Sequence, residues 1–259
     1  SSGEPLFVRD MLARHGARAR ERGALMVSAA GLDCVPADLG AYFTMRELRP
    51  EGAVDLEGLF AFEASPSGGT LSSILSVLQD RKALRSAMGP FDAGPGRVVG
   101  PLPARLHREP GLGYLVPMPS LDPEITLRSA AGSALYGPEF RYAHYLVVPS
   151  LRRLGALGAG MAGLYVAAQT APTRRLVERI VVPGQGPSAE RRKAAWFRLT
   201  LRARERGPRG ERSMITEVTG GDPGYEETAR MLGEGALGLV LDRTRLPARS
   251  GVQPPQRGG

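Results

Sequence analysis

An uncharged run that ends in a glycine places the strongest constraint on how this chain can fold. Residues 24–30 (ALMVSAA) carry no charged side chain, as is typical of a strand buried on both faces of a parallel sheet. Gly31 permits a tight turn, Pro36 suits the first turn of a helix, and Asp38 places a negative charge where the helix dipole favours one. The stretch therefore predicts strand, loop and helix. Its loop is a candidate ligand crevice, because ligands of open α/β sheets bind at the carboxyl ends of strands, although an ordinary structural turn explains the same residues.

Four short motifs follow one another along the chain. They are GLDCVPADLG at residues 31–40, SGGT at residues 67–70, YGPEFRYAHY at residues 136–145 and TEVTGGDPGY at residues 216–225. In this order they resemble the saccharopine dehydrogenase-like oxidoreductases, a family that includes the bacterial trans-acting enoyl reductases. The resemblance implies NAD(P)-dependent reduction of an enoyl or imine group in a lipid-type substrate, without specifying that substrate.

The same resemblance makes residues 1–49 the C-terminal part of a Rossmann-like domain. In the family, the glycine fingerprint that holds the dinucleotide pyrophosphate comes first in the chain, and no G-x-G-x-x-G lies at a strand-to-helix turn ahead of residue 24. The expected cofactor is NADP or NAD in the full-length protein, with weak or no binding by this chain, which alone is expected to be inactive. The alternative is a non-catalytic binding or assembly domain that retains the fold without the cofactor.

The rest of the chain predicts an α/β protein with a second domain. Residues 50–222 are expected to form an α+β substrate domain with a mixed sheet, and residues 223–245 a helix that packs back on the first part. Residues 246–259 are rich in Pro, Gly and Arg and predict a disordered tail. Residues 89–120, also rich in Pro and Gly, predict a long loop. The period-two alternation on either side of residues 206–210 predicts a β-hairpin.

Charge and cysteine content restrict the partners. The net charge is +8 and the pI is about 10.2, but the basic residues are scattered and not interleaved with aromatic residues, which argues against nucleic-acid binding. Cys34 is the only cysteine, so an internal disulfide is impossible and a cysteine-based metal site is not expected. This usage fits a reducing cytoplasm.

Residues 154–171 carry no charge and lie between two arginine pairs. Their length is borderline for a transmembrane helix, but four glycines make the segment a poor lipid-facing span. The interpretation is a close-packed helix, or one that leans on an acyl substrate or a membrane surface. The expected partners are a small-molecule or acyl substrate, a membrane surface that the protein contacts peripherally, and a second copy of the chain.

The predicted site combines three glycine-containing turns, each of which begins a helix and offers free N–H groups. Asp33 is the expected orienting residue and Tyr225 the expected proton donor. The other predicted binding residues are Gly31, Pro36, Asp38, Ser67, Gly68, Gly69, Thr70, Arg141, Gly221 and Asp222. Independent capped helix starts remain the alternative for the three turns, and His144 is interpreted as a packed histidine rather than a catalyst. No metal site is predicted.

Overall fold

The structure is a computed structural model that describes residues 5–64, 91–118, 120–169, 186–241 and 251–253. Its helices are α1 (Pro5–Glu21), α2 (Val35–Leu48), α3 (Asp122–Ala131), α4 (Leu151–Gln169), α5 (Ala189–Lys193) and α6 (Glu226–Leu241), with a 3-10 turn at Ala134–Tyr136. Its strands are β1 (Leu25–Val27), β2 (Ala53–Glu63), β3 (Val98–Pro101), β4 (His107–Glu109), β5 (Gly113–Pro117), β6 (Glu139–Val148), β7 (Trp196–Gly207), β8 (Gly210–Gly220) and β9 (Gly251–Gln253).

The larger sheet has seven strands of mixed direction. Its order is β4-β5-β6-β2-β7-β8, and β3 pairs with the first half of β6 beside β5. The central strand β2 runs parallel to β6 and antiparallel to β7. The predicted hairpin is present as β7 and β8, which close through the Gly207–Gly210 pair. The predicted fold class, α/β with a mixed sheet, is confirmed.

A second, two-stranded sheet pairs β1 with β9 in parallel. Leu25 lies opposite Gly251 and Val27 opposite Gln253, so part of the predicted disordered tail is a strand. The physical reason is that an apolar strand such as β1 leaves unpaired backbone groups until another strand covers its edge. The composition of residues 246–259 predicted a disordered tail. It could not predict this pairing, because the paired residues are more than two hundred positions apart in the sequence.

Helices α2 and α3 cover one face of the large sheet. The apolar side of α2 packs on β7 and β8, and an added Cβ at Gly40 would overlap Leu201. The hydroxyl oxygens of Thr44 and Thr216 lie 2.6 Å apart and join α2 to β8. Residues of α2 and of the sheet thus belong to one hydrophobic core, on both sides of the boundary predicted at residue 49. The buried residues of that core are Ala37, Ala41, Met45, Leu48, Val54, Leu56, Leu127, Ala130, Tyr136, Phe140, Tyr142, Leu199, Leu201 and Ala203.

Two charged side chains fix the connections of this body. The Arg97 guanidinium donates to five carbonyl oxygens, those of Ala93, Ala130, Ala131, Ser133 and Gly137, at 2.8–3.4 Å. Four of these carbonyls lie at the end of α3 and in the turns after it, where helical carbonyls lack intrahelical partners, and the fifth, that of Ala93, lies in the loop before β3. The prediction of a long loop is wrong for residues 91–118, which contain β3, β4 and β5.

The second connection is made by Glu205 in β7, which is 1% exposed. Its carboxylate accepts the backbone N–H groups of Glu51 (2.7 Å) and Gly52 (3.0 Å) and the Arg212 Nε–H (2.7 Å). Burial by itself would raise the pKa of Glu205, but these donors lower its pKa overall. The carboxylate thereby ties the turn between α2 and β2 to the β7–β8 hairpin.

Helices α4 and α6 are arranged differently from α2 and α3. No described side chain of either helix is buried. Leu151 and Val166 of α4, and Val240 and Leu241 of α6, are each about two-thirds exposed or more. Across the residues that the structure describes, no helix combines the length and apolar character needed to cross a bilayer.

Candidate active site

The loop between β1 and α2 lies against the start of α6. The Leu32 N–H donates to Thr228 Oγ1 at 3.4 Å, and a Cβ added at Gly31 would lie 3.1 Å from Thr228 Cγ2. A larger residue at position 31 would be crowded, because the side chain of Thr228 fills the space beside Gly31. Ala29, just before, adopts the left-handed region with φ of 54°, a conformation that costs a non-glycine residue about 1–2 kcal/mol. The structure thus brings the first and third predicted turns together in a strained loop.

The predicted turn at residues 221–225 is closed by its own carboxylates. Asp222, 2% exposed, accepts the N–H groups of Tyr225 (2.9 Å) and Glu226 (3.2 Å). Gly221 N–H donates to Glu227 Oε1 at 3.2 Å. Asp222 thus caps α6 and occupies the positions that a ligand would take at this helix start. Tyr225 is 37% exposed, and its hydroxyl group and ring lie against Gly186.

The start of α2 collects acidic side chains. Pro36 and Asp38 are buried, whereas Asp33 is exposed at the tip of the loop. Desolvation, and then the charge of Asp122, raise the pKa of Asp33. Burial and the charges of Asp122, Asp33 and Asp38 raise the pKa of the Cys34 thiol well above its usual range, which keeps it protonated and unreactive at neutral pH.

Sequence reasoning missed the polar groups buried behind this loop. The Tyr142 hydroxyl and His144 Nδ1 are 2.7 Å apart in a hydrogen bond, and both residues are almost completely buried. Asp122, at the start of α3, is close enough for its charge to act on both. We call Asp122, Tyr142 and His144 the inner polar cluster.

The protonation of the inner polar cluster follows from burial. Burial lowers the pKa of His144, and the charge of Asp122 opposes this shift only in part. Burial, followed by the charge of Asp122, raises the pKa of Tyr142 well above 10, so its hydroxyl stays protonated. Burial also raises the pKa of Asp122. At neutral pH Tyr142 therefore keeps its proton and His144 is uncharged, so the pair can hold or pass a proton beside Asp122.

Gly58 leaves the space that the cluster needs. It lies opposite His144 in the β2–β6 pairing, and a Cβ added there would overlap the Tyr142 hydroxyl and lie 3.1 Å from His144 Nδ1. The sequence did carry a signal for the pair, since Tyr142 and His144 are two residues apart on one strand and so share a face. The sequence could not assign Asp122 to this pair, because Asp122 comes near Tyr142 and His144 only when α3 packs on the sheet.

An open groove lies beside α2, next to the edge strand β8 and the helix α6. It has a volume of about 230 Å³ and lies between α2, β8 and α6. Its walls are largely apolar, and Leu39 and Phe43 are almost half exposed there. Pro36, predicted to face a crevice, is part of this wall; the lining residues are Val35, Pro36, Leu39, Gly40, Phe43, Thr216, Glu217, Val218 and Met231.

One residue of the predicted site lies apart from the rest, and one predicted turn lies outside the described residues. Arg141 forms an ion pair with Glu139 and, as a neighbour of the inward-facing Phe140 and Tyr142, lies on the opposite face of the sheet from α2 and α3. Residues 67–70 lie outside the described residues. Within the described ranges, no group of three or more His, Cys, Asp or Glu side chains could hold a metal ion.

Comparison with known proteins gives three informative relatives. A Mycobacterium tuberculosis protein, named as a candidate trans-acting enoyl reductase, is 33% identical over 98% of this chain and 67% of its own length. A trans-acting enoyl reductase of Mycobacterium ulcerans is 28% identical over 98% of this chain and 68% of its own. A human saccharopine dehydrogenase-like oxidoreductase is 25% identical over 98% of this chain and 65% of its own. No family model matches the chain.

Proposed function

This chain belongs to the saccharopine dehydrogenase-like oxidoreductase family, in its trans-acting enoyl reductase group, and we propose that it forms the substrate-binding part of an NAD(P)-dependent oxidoreductase that reduces an enoyl or imine group in a lipid-type substrate. The names of its relatives support the reaction class. The observation that carries the proposal is the hydrogen-bonded Tyr142–His144 pair beside Asp122. Buried polar groups of this kind are costly to stability and occur preferentially at functional sites.

Reduction of a double bond requires a hydride and a proton. When bound, the dinucleotide supplies the hydride, and the chain must supply or conduct the proton. Tyr225 is the exposed candidate for this role, and Tyr142 is the buried one. Because burial keeps the pKa of Tyr142 well above 10, its hydroxyl carries a proton, and His144 is placed to orient that hydroxyl or to exchange a proton with it. Asp33, at the mouth of the loop, would orient the substrate.

The residues at the start of α6 do not fit a pyrophosphate. The N–H groups of Tyr225 and Glu226 already donate to Asp222, and this carboxylate would repel a phosphate. The pyrophosphate is therefore expected to bind outside this turn. The apolar groove beside Pro36 supports a lipid-type substrate, because an acyl chain gains free energy by leaving water for apolar walls.

The cofactor part of the proposal is tested by titrating NADPH against the isolated chain and following NADPH fluorescence. Weak or undetectable binding is expected, since the two G-x-G-x-x-G spacings of the chain, at residues 158–163 and 233–238, lie inside α4 and α6 and not at a strand-to-helix turn that could hold the pyrophosphate. A micromolar Kd, which corresponds to about −8 kcal/mol, would place the cofactor site within this chain and overturn that part of the proposal.

The chemical part is tested in a full-length protein that joins this chain to its dinucleotide-binding domain, with a short enoyl thioester as the probe substrate. Asp33→Asn and Tyr225→Phe are expected to cut turnover while thermal stability stays nearly unchanged. Tyr142→Phe is expected to cut turnover about a hundredfold if it donates or conducts the proton, and Tyr114→Phe, which removes the hydroxyl of a half-buried tyrosine on β5, is the control.

The outcomes separate the alternatives. Wild-type turnover in Asp33→Asn, Tyr225→Phe and Tyr142→Phe would remove all three residues from the mechanism. If the full-length protein binds NADPH but oxidises it with neither enoyl nor imine probes, the proposed substrate class is wrong. If it is folded and does not bind NADPH, a non-catalytic binding or assembly domain is the better description.

A further inference from the structure

Helix α4 presents an apolar surface that the described fold does not cover. Its only charged side chains are Arg152 and Arg153, in its first turn. Leu151 is 67% exposed and Val166 is 66% exposed. A Cβ added at any of its four glycines would meet nothing within 4 Å. A helix that is apolar on all sides normally lies inside a protein or in lipid, so this surface requires a cover.

The attachment of α4 to the protein leaves most of its circumference open. The side chains at positions 154, 157, 161 and 164 are half-buried, whereas the other described positions from 151 to 169 are exposed. The half-buried positions repeat every three or four residues and form one stripe, which is the side of the helix that faces the protein. The remaining surface points away from it.

Charge distinguishes the candidate covers. Helix α4 has no acidic residue, and its first turn exposes Arg152 and Arg153. Arg153 pairs with Glu63 at 3.2 Å across an exposed contact. If two copies of α4 packed together, neither copy would offer a carboxylate to Arg152 of the other. An anionic lipid headgroup supplies that negative charge, and its acyl chains supply the apolar environment.

We propose that α4 lies in the headgroup region of an anionic lipid bilayer, with Arg152 on the phosphates and the exposed apolar side facing the acyl chains. At about 1.5 Å per residue its 19 residues extend for about 28 Å along the surface. The chain's net charge of +8 adds a general attraction to a negative surface. This contact is independent of the proposed catalytic site, and it would bring the protein to the phase in which lipid-type substrates reside.

The experiment is co-sedimentation of the 259-residue chain with vesicles of phosphatidylcholine and phosphatidylglycerol in equal amounts, and with vesicles of phosphatidylcholine alone. Binding to the anionic vesicles is expected to be at least tenfold stronger, and to fall as salt is added. Arg152→Ala is expected to weaken it about fivefold. Val166→Asp is expected to weaken it about tenfold or more, because it places a charge on the side that faces the acyl chains.

Ile215→Asp is the matched control. Ile215 is 65% exposed on β8, almost the same as Val166, and the substitution changes the net charge by the same amount. Both variants should keep the wild-type circular dichroism and unfolding temperature. Vesicle binding should be lost in Val166→Asp and retained in Ile215→Asp.

Three results would overturn the proposal. The first is no preference of the wild-type chain for anionic over neutral vesicles. The second is equal loss of binding in Val166→Asp and Ile215→Asp, which would indicate a general charge effect. The third is a dimer in light scattering that Val166→Asp dissociates while the wild-type dimer ignores vesicles, which would make α4 a self-association surface. None of these results depends on NADPH binding or turnover.

Discussion

Apolar side chains are buried on the helix-covered face of the large sheet but are largely exposed on helices α4 and α6. Seven of the ten residues of α3 and eight of the fourteen residues of α2 are buried, whereas no residue of α6 and no described side chain of α4 is buried. All four helices contain apolar residues. The difference indicates that, among the described residues, the sheet with α2 and α3 holds more of the buried core than α4 and α6 do.

A large loss of stability is expected from a single polar substitution in the stable body. Arg97→Ala removes a guanidinium that donates to five carbonyl oxygens at the end of α3 and in the turns around it. We expect the free energy of unfolding to fall by about 3 kcal/mol, because charged hydrogen bonds are worth about 1.5–3 kcal/mol each and do not add fully. Arg97→Lys should recover only a small part, since an ammonium cannot reproduce the planar fork.

The control for Arg97 is Arg204→Ala, which removes an exposed arginine from β7. Chemical denaturation of the three variants measures the difference. A loss of less than about 1 kcal/mol in Arg97→Ala, similar to that of a surface arginine, would show that the end of α3 does not depend on this side chain.

A smaller effect is expected at the inner polar cluster. Gly58→Ala should destabilise the protein by about 1–3 kcal/mol, because the new methyl group overlaps the Tyr142 hydroxyl. In the double variant Gly58→Ala/Tyr142→Phe the hydroxyl is absent, and the nearest contacts lengthen to at least 3.1 Å. The double variant should therefore be less destabilised than the sum of the two single variants. Additive losses would mean that Gly58 is needed for its backbone and not for the space it leaves.

The sequence predicted those elements whose signals are local. The uncharged run before Gly31, the proline at the start of α2 and the alternation in β7 and β8 all depend on neighbouring residues. Helix α2 and the β7–β8 hairpin form where expected, whereas the strand predicted over residues 24–30 is limited to Leu25–Val27 and is half-buried, not buried on both faces. The strands β3, β4 and β5 were missed, because they lie in a segment rich in Pro and Gly and take their stability from pairing with β6. Strand β9 was missed for the same reason, since its partner β1 is remote in sequence.

The candidate site was predictable only in part, for a related reason. The turn after β1 and the turn before α6 were identified, and Leu32 and Thr228 bring them together. The local pattern could not show that Asp222 would cap its own helix. Nor could it show that Asp122 would approach His144, because their interaction depends on how α3 packs on β6.

A still smaller effect is the pH dependence that His144 imposes on the stable body. Burial lowers the pKa of His144 below its ordinary 6.5, against the opposing charge of Asp122. Between the folded pKa and 6.5 the unfolded chain binds more protons, so stability falls as the pH falls through this window. Urea denaturation at a series of pH values, compared between wild type and His144→Gln, isolates this contribution.

The direction in which stability changes with pH distinguishes the contribution of His144 from that of Asp122, because the two contributions have opposite signs. Burial raises the pKa of Asp122 above 3.8, so the folded state binds more protons than the unfolded state in an acidic window, and stability from this group falls as the pH rises through that window. The His144 contribution should appear first as a sample is acidified from neutral pH. A wild-type protein that grows more stable relative to His144→Gln between neutral pH and 6 would contradict a buried, neutral histidine.

The smallest expected effect is the one that most sharpens the comparison between the two regions. Val240 of α6 is 75% exposed and Leu127 of α3 is 1% exposed, although both are aliphatic residues on helices. Leu127→Ala should lower the free energy of unfolding by about 2–5 kcal/mol, since it empties a close-packed site. Val240→Ala should change it by no more than about 0.5 kcal/mol, because the methyl groups that it removes are already in water. Denaturation of both variants at several protein concentrations provides the measurement. A loss above about 1 kcal/mol for Val240→Ala that grows with concentration would show that a second copy covers α6. A similar loss that is independent of concentration would show that α6 belongs to the stable body.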